Sequence, residues 1–270
     1  MTRVGPQPPA SLRPEARAAA RAAHAGLELA RAGTGSVKEK PGRPRDVVTE
    51  ADVAVEDLVR RSLEGASGLP VVGEERGGTP PGSGAYWLVD PICGTRNYAS
   101  GIPLFAVNLT LVEDGELAVA AVADGSTGQV LVAERGRGAF EVGPSGARRL
   151  QASLDSQVVV LGGWPLPGAS RAGATRFLAR LIEADRWDLR ILATTLGLAY
   201  VAAGRVAADV YFGASALHYG AGALLAAESG AVVTDLEGSP FRVESTSLLV
   251  AATPELHAEL RALAAASSGR

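Results

Sequence analysis

The stretch LVDPICGTRNY, residues 88–98, ends an apolar run on a carboxylate, Asp90, and then turns through Pro91, Gly94 and Asn97. Two further acidic groups stand at comparable places. Glu74 and Glu75 close the short apolar run LPVVGEE, and Asp46 and Asp52 flank the stretch DVVTEAD. Strand ends in a layered sheet converge on one edge, and converging carboxylates repel one another unless a cation holds them. The chemistry these residue types support is therefore the binding of a hard divalent cation. One residue is out of character. A hard-metal turn wants a carboxylate at position 93, and Cys93, the single cysteine of the chain, stands there.

The elements that must position these groups follow from pattern. Helix formers fill residues 14–33, with Pro14 at a first helical position and Gly33 as a stop. Val55, Leu58, Val59 and Leu63 recur at helical spacing after an extended piece. Strands are expected at LPVVGEE and YWLVD. Antiparallel strands are expected through LFAVNLTLVEDGELAVAAVAD and GQVLVAERGRGAFEV, with a hairpin at Glu113-Asp114-Gly115. After about residue 155 strands alternate with helices: QVVVLGG, a helix over 171–184, LRILA, a helix through TTLGLAYVAAGR, ADVYF, a helix through ALHYGAGALLAAESG, AVVTD, and a last helix near 254–266. We expect residues 1–12 to be disordered. An α+β half then spans 13–155 and an α/β half 156–270, as one structural unit with the site between the halves.

In the order DVVTEAD, GEE, WLVDPICGT-N, TTLGLAYVAAGRVAADVY and HYGAGALLAAESGAVVTD, these blocks resemble the inositol monophosphatase family over residues 13–265. The resemblance implies an αβαβα layered α/β sandwich, phosphate-monoester hydrolysis assisted by Mg²⁺, and a homodimer. Carried over residue by residue, it gives one metal to Glu74, Asp90 and the backbone carbonyl of Ile92. Thr95 orients the attacking water, with Asp52 behind it, and the Gly94-Thr95 turn grips phosphate. The sequence departs from the family at the second metal. Cys93 and His218 stand in place of two aspartates, Leu217 in place of a tryptophan, and Tyr211 in place of a substrate-contacting glutamate. Under the family fold, Cys93 and His218 face each other.

Three functional readings stay open, beside a non-catalytic protein that keeps only the pocket. One Mg²⁺ remains at Glu74 and Asp90, and a small anionic phosphorylated metabolite is hydrolysed. Or Asp90, Cys93 and His218 take a softer ion such as Zn²⁺. Or no metal binds, and His218, oriented by Asp90, takes the proton of Cys93 to make a nucleophile for acyl transfer, amide hydrolysis or cyclisation. Arg96 is a further candidate for phosphate or carboxylate. Lys38 and Lys40 lie on a polar Gly/Pro loop. His24, His257 and Trp164 read as structural.

Composition narrows the partners. A net charge of −3, with charged residues at 20%, lacks the basic excess of a nucleic-acid binder. One cysteine rules out an internal disulfide framework and fits a reducing cytoplasm. No apolar leader opens the chain and no long uncharged apolar run crosses it, so neither a signal peptide nor a membrane span is expected.

Overall fold

The computed structural model describes residues 5–33, 37–39, 47–163 and 168–268. Helix α1 (Pro14–Ala32) opens on a proline and stops at Gly33, as its sequence requires. Strands β1 (Val37–Glu39) and β2 (Val47–Thr49) pair antiparallel. Helix α2 (Glu50–Ser67) starts at a capping box, in which Thr49 and Asp52 satisfy each other's backbone N–H, and ends at Gly68 in the left-handed region. Then come β3 (Val71–Gly73), β4 (Ala85–Cys93), the short helix α3 (Thr95–Ala99), β5 (Ala106–Glu113), β6 (Glu116–Asp124), β7 (Val130–Glu134), β8 (Gly138–Gly143) and β9 (Gly146–Arg149). The remainder is β10 (Val158–Leu161), α4 (Gly168–Ala184), β11 (Asp188–Arg190), α5 (Leu196–Ala202), β12 (Ala208–Tyr211), α6 (Ala216–Glu228), β13 (Val232–Thr234), β14 (Leu248–Ala251) and α7 (Pro254–Ser268).

A seven-stranded sheet runs in the order β3 to β9, antiparallel except for the β3–β4 pair. A five-stranded mixed sheet has the order β11-β10-β12-β14-β13. Side-chain alternation along the strands builds the layers. Trp87, Val89, Leu109 and Val119 point from the large sheet onto α1 and α2, where they meet Leu27, Val55 and Val59. Leu88, Ala120 and Val122 point the other way, toward α5 and α6, which also take Val160, Tyr211 and Val250 of the second sheet. Leu161, Val210 and Leu249 complete the outer core with Phe177 and Leu181 of α4 and Leu256 and Leu260 of α7. Helices, sheet, helices, sheet, helices is the expected αβαβα sandwich. Both sheets bury both faces, which is why β4 reads as a continuous apolar run.

Four local expectations are corrected. Residues 5–12 pack against the large sheet: Leu12 is buried, and Gln7 N–H donates to Gly143 O at 3.1 Å. The strand expected over LRILA covers Asp188–Arg190, and Ala193 takes φ +51° at the bend that follows. Helix α5 begins at Leu196, after both threonines. The strand β14 was not expected, because four apolar residues without alternation carry no strand-specific period. The Asp114-Gly115 hairpin is present, with both residues at positive φ.

Glu56, one turn beyond the cap of α2, is fully buried. Its carboxylate accepts from Glu75 N (2.6 Å) and Arg76 N (3.0 Å) and pairs with Arg60 (3.1 Å). It thereby satisfies the backbone that follows β3. We expect Glu56→Ala to lower unfolding free energy by about 3 kcal/mol in denaturant melts, because it takes the acceptor from two part-buried backbone N–H groups and the buried partner from Arg60. Gly73→Ala should destabilise too, since an added Cβ would sit 2.0 Å from Glu56 Oε1. A loss under about 1 kcal/mol for Glu56→Ala contradicts this role.

His257 of α7 is buried, with Nε2 2.8 Å from Thr234 Oγ1 of β13. Burial, then the charge of Arg261, lowers its pKa. A depressed folded pKa means the contribution to stability is whole above the unfolded value near 6.5 and is lost as pH falls through the folded one. The drop in melting temperature from pH 7 to pH 5 should therefore be smaller in His257→Gln, whose amide still reaches Thr234.

Candidate metal centre

The parallel pairing of β3 and β4 sets the register Val71↔Trp87, Val72↔Leu88, Gly73↔Val89. Glu74 N–H then donates to Val89 O at 3.0 Å. Glu74, just past β3, and Asp90, still inside β4 and paired with Asn108 of β5, each stand one residue beyond that last pair and so sit side by side; β4 runs on to Cys93 rather than ending at Asp90 as expected. Asp90 is 1% exposed and the Glu74 side chain 16%, so one carboxylate is sealed in and the other borders solvent. Burial and then the charge of Glu74 push the Asp90 carboxyl up to about 7, while the hydrogen bond to His218 works against both.

Pro91 cannot donate to the ladder, and the β4–β5 register slips between Asp90 and Cys93. Gly94 takes φ +99°, and a Cβ there would lie 2.9 Å from Leu104 O and 3.2 Å from Thr194 Cβ. The turn thus needs glycine twice over, for conformation and for space. Thr95 Oγ1 donates to the Ile92 carbonyl at 3.0 Å and stands 3.3 Å from Asp52 Oδ1. The other oxygen of Asp52 serves the capping box, accepting from Thr49 N at 2.8 Å. Burial leads the causes that raise the Asp52 carboxyl, opposed by its Thr49 hydrogen bonds. Asn97 locks the turn, its Nδ2 donating to Leu104 O (2.8 Å) and Leu192 O (3.0 Å).

His218 arrives from the other side, on the first turn of α6, which Ser215 caps. Gly220 lets this helix approach Thr110 of β5, and Asn108 Nδ2 donates to Leu217 O at 3.0 Å. His218 Nδ1 lies 2.8 Å from Asp90 Oδ2 and 4.0 Å from Glu74 Oε2. Glu74, Asp90 and His218 offer ligand atoms that all lie within 4.8 Å of one another. Asp90 Oδ1 is buried without a hydrogen-bond partner. A buried carboxylate oxygen left unsatisfied beside a second carboxylate and an imidazole fits a divalent cation, which would fill its missing coordination.

Cys93 stands outside that cluster of three among the described residues. The expected meeting of thiol and imidazole takes a different form. Cys93 Sγ accepts from Thr195 N–H at 3.2 Å and lies 3.9 Å from the carbonyl oxygen of His218, while the ring turns to Asp90. Thr194 Oγ1 donates to the Cys93 carbonyl at 2.9 Å. Burial, followed by the Asp90 charge, raises the thiol pKa well above its ordinary value. A neutral S–H braces the turn against the segment that leads into α5.

Tyr211 is corrected. It is fully buried, its ring against Tyr219 and its hydroxyl donating to Asp209 Oδ2 at 2.7 Å, so it presents nothing to a ligand. Arg96 is exposed on α3. His24 and His257 sit on the outermost helix layers, away from the cluster. Lys40, Asp46, Trp164 and the side chain of Lys38 lie outside the described residues. Sequence reasoning missed Glu56, Thr194 and Thr195. For the threonines, a polar pair ahead of an apolar helical run was the available signal.

Comparison with known proteins agrees with this architecture. The family model described as "Inositol monophosphatase family" matches residues 10–268. Inositol-1-monophosphatase ImpA of Mycolicibacterium smegmatis is 37% identical over 227 residues, covering 80% of this chain and 79% of that one. The Nus factor SuhB of Pseudomonas aeruginosa is 36% identical over 214 residues, covering 76% and 77%. Among solved structures, the extragenic suppressor protein SuhB of Bartonella henselae superposes with a TM-score of 0.81 at 27% identity, covering 93% of this chain and 98% of that one. With its fold, its paired strand-end carboxylates and the family match agreeing over nearly the whole length, the chain belongs to the inositol monophosphatase family.

Proposed function

We propose that this protein hydrolyses the phosphate monoester of a small anionic metabolite with a divalent cation held at Glu74 and Asp90. The observation that carries the reading is the buried, partnerless Asp90 Oδ1 set beside Glu74. The Ile92 carbonyl, already accepting from Thr95, has a second lone pair for the same ion. Such a cation, given as Mg²⁺ by the family resemblance and with its class taken up from the donor atoms below, supplies Lewis-acid polarisation and an acidified water. The chain's own groups do the rest. Thr95 Oγ1 orients the incoming water; to take the water's proton it turns its own from the Ile92 carbonyl to Asp52 Oδ1, 3.3 Å away, a carboxylate whose burial makes it a stronger base than in water. The Gly94-Thr95 backbone, entering a helix from positive φ, forms an N–H concavity for phosphate oxygens. Arg96 adds charge at the rim. A homodimer, from the resemblance, and a cytoplasmic location, from the cysteine usage, belong to this proposal. No helix among the described residues is long and apolar enough to cross a membrane.

The thiol reading has less support. A buried sulfur with a raised pKa, accepting a backbone N–H and facing the His218 carbonyl oxygen rather than its ring, is a poor nucleophile. A relative named as a Nus factor matches about as well as the named phosphatase, so the site rather than the similarity favours a hydrolase.

Two measurements test the proposal. Phosphate release from a panel of sugar and polyol phosphates should require added divalent cation and fall at least about a hundredfold in Glu74→Gln and in Asp90→Asn. Turnover in excess chelator would overturn it. Cys93→Ala should keep activity within about tenfold of the parent, because it removes only a brace. Abolition of activity in Cys93→Ala, with the fold intact by circular dichroism, would restore the thiol reading.

A further inference from the structure

The donor set of this site is not all oxygen. We infer that Glu74, Asp90 and His218 form one mixed nitrogen–oxygen metal site, shared between the two sheets' flanks, that selects a Zn²⁺-class ion over Mg²⁺.

The argument starts from which atoms meet. Imidazole Nδ1 stands 2.8 Å from Asp90 Oδ2 and 4.0 Å from Glu74 Oε2. Donors bound at about 2.1 Å to a tetrahedral zinc stand roughly 3.4 Å apart, and the two imidazole–carboxylate spacings here fall on either side of that value. The partnerless, 1% exposed Asp90 oxygen is the second and independent sign of a ligand here. Mg²⁺ prefers an all-oxygen octahedron with several waters, whereas a neutral imidazole with two carboxylates is a donor set for zinc and its first-row neighbours. The His218 side chain is 35% exposed, so the position is open to an entering ion and to water or substrate in the remaining places. Cys93 takes no part, since its sulfur is turned to the Thr195 amide.

Position in the fold makes His218 a dependable donor. It sits in the first turn of a capped helix packed between the two sheets, and its backbone is tied to Cys93 on one side. Its neighbour Leu217 is tied to Asn108 of β5. The backbone that carries the ring is therefore fixed beside the Asp90–Glu74 pair.

This inference rests on the proposed hydrolase reading for the presence of a cation, and adds its class. The chain has three histidines, so a ¹⁵N-histidine-labelled, chelator-stripped sample gives a sparse spectrum. Titrating ZnCl₂ should move the Nδ1 resonance of His218 and leave those of His24 and His257 in place, and MgCl₂ should move none of them. Calorimetry should show the Zn²⁺-to-Mg²⁺ affinity ratio falling at least about tenfold in His218→Asp, which restores an oxygen donor, and in His218→Gln. Unchanged His218 nitrogens at saturating Zn²⁺, or an unchanged affinity ratio in both variants, would overturn the inference even if phosphate is released with Mg²⁺. A Zn²⁺-induced shift at His218 with no phosphate release under any metal would leave the site standing and remove the hydrolase reading.

Discussion

Everything at the centre depends on forcing two carboxylates together. The β3–β4 pairing sets Glu74 and Asp90 side by side, and burial of Asp90 removes much of the water that would screen their repulsion. An arrangement of this kind is unfavourable by itself. It persists because the rest of the sandwich is over-determined, with both sheets buried on both faces and the helices capped at chemically suitable residues. Like charges held in place are what give a cation a reason to bind.

The architecture was largely legible in the residues. Periods of two and of 3.6, Gly and Pro punctuation, and the Asp114-Gly115 hairpin located most elements, because those signals arise from local sterics that tertiary packing rarely overrides. The acidic half of the site was legible for a related reason. One carboxylate at a strand end is common, but several acidic clusters expected to converge, inside blocks that resemble one family, made Glu74 and Asp90 stand out. The parts that were not legible depend on which way a side chain turns. Tyr211 and Cys93 are each in the neighbourhood expected of them, yet one points into the core and the other to a backbone amide. No spacing rule reports such orientations. Glu56 was hidden by its surroundings, since a glutamate in an amphipathic helix ordinarily faces solvent and this one faces the turn after β3.

The exchange of acid for thiol at position 93 has a plain consequence for electrostatics. A carboxylate in that buried place would add another negative charge next to Asp90, tolerable only with more cation. A neutral sulfur lowers that demand, and an imidazole on α6 lowers it again. The pair of replacements is thus self-consistent: the site has fewer charges to hold and asks less of what it binds.

Helix α2 carries more of this site than its sequence suggests. Its first turn holds Asp52, and Glu56 one turn later grips the peptide groups of Glu75 and Arg76, just past Glu74. Asp52 and the backbone just past Glu74 are therefore both tied to one helix. A change that disturbs α2 would reach both the Asp52 side and the Glu74 side of the site at once.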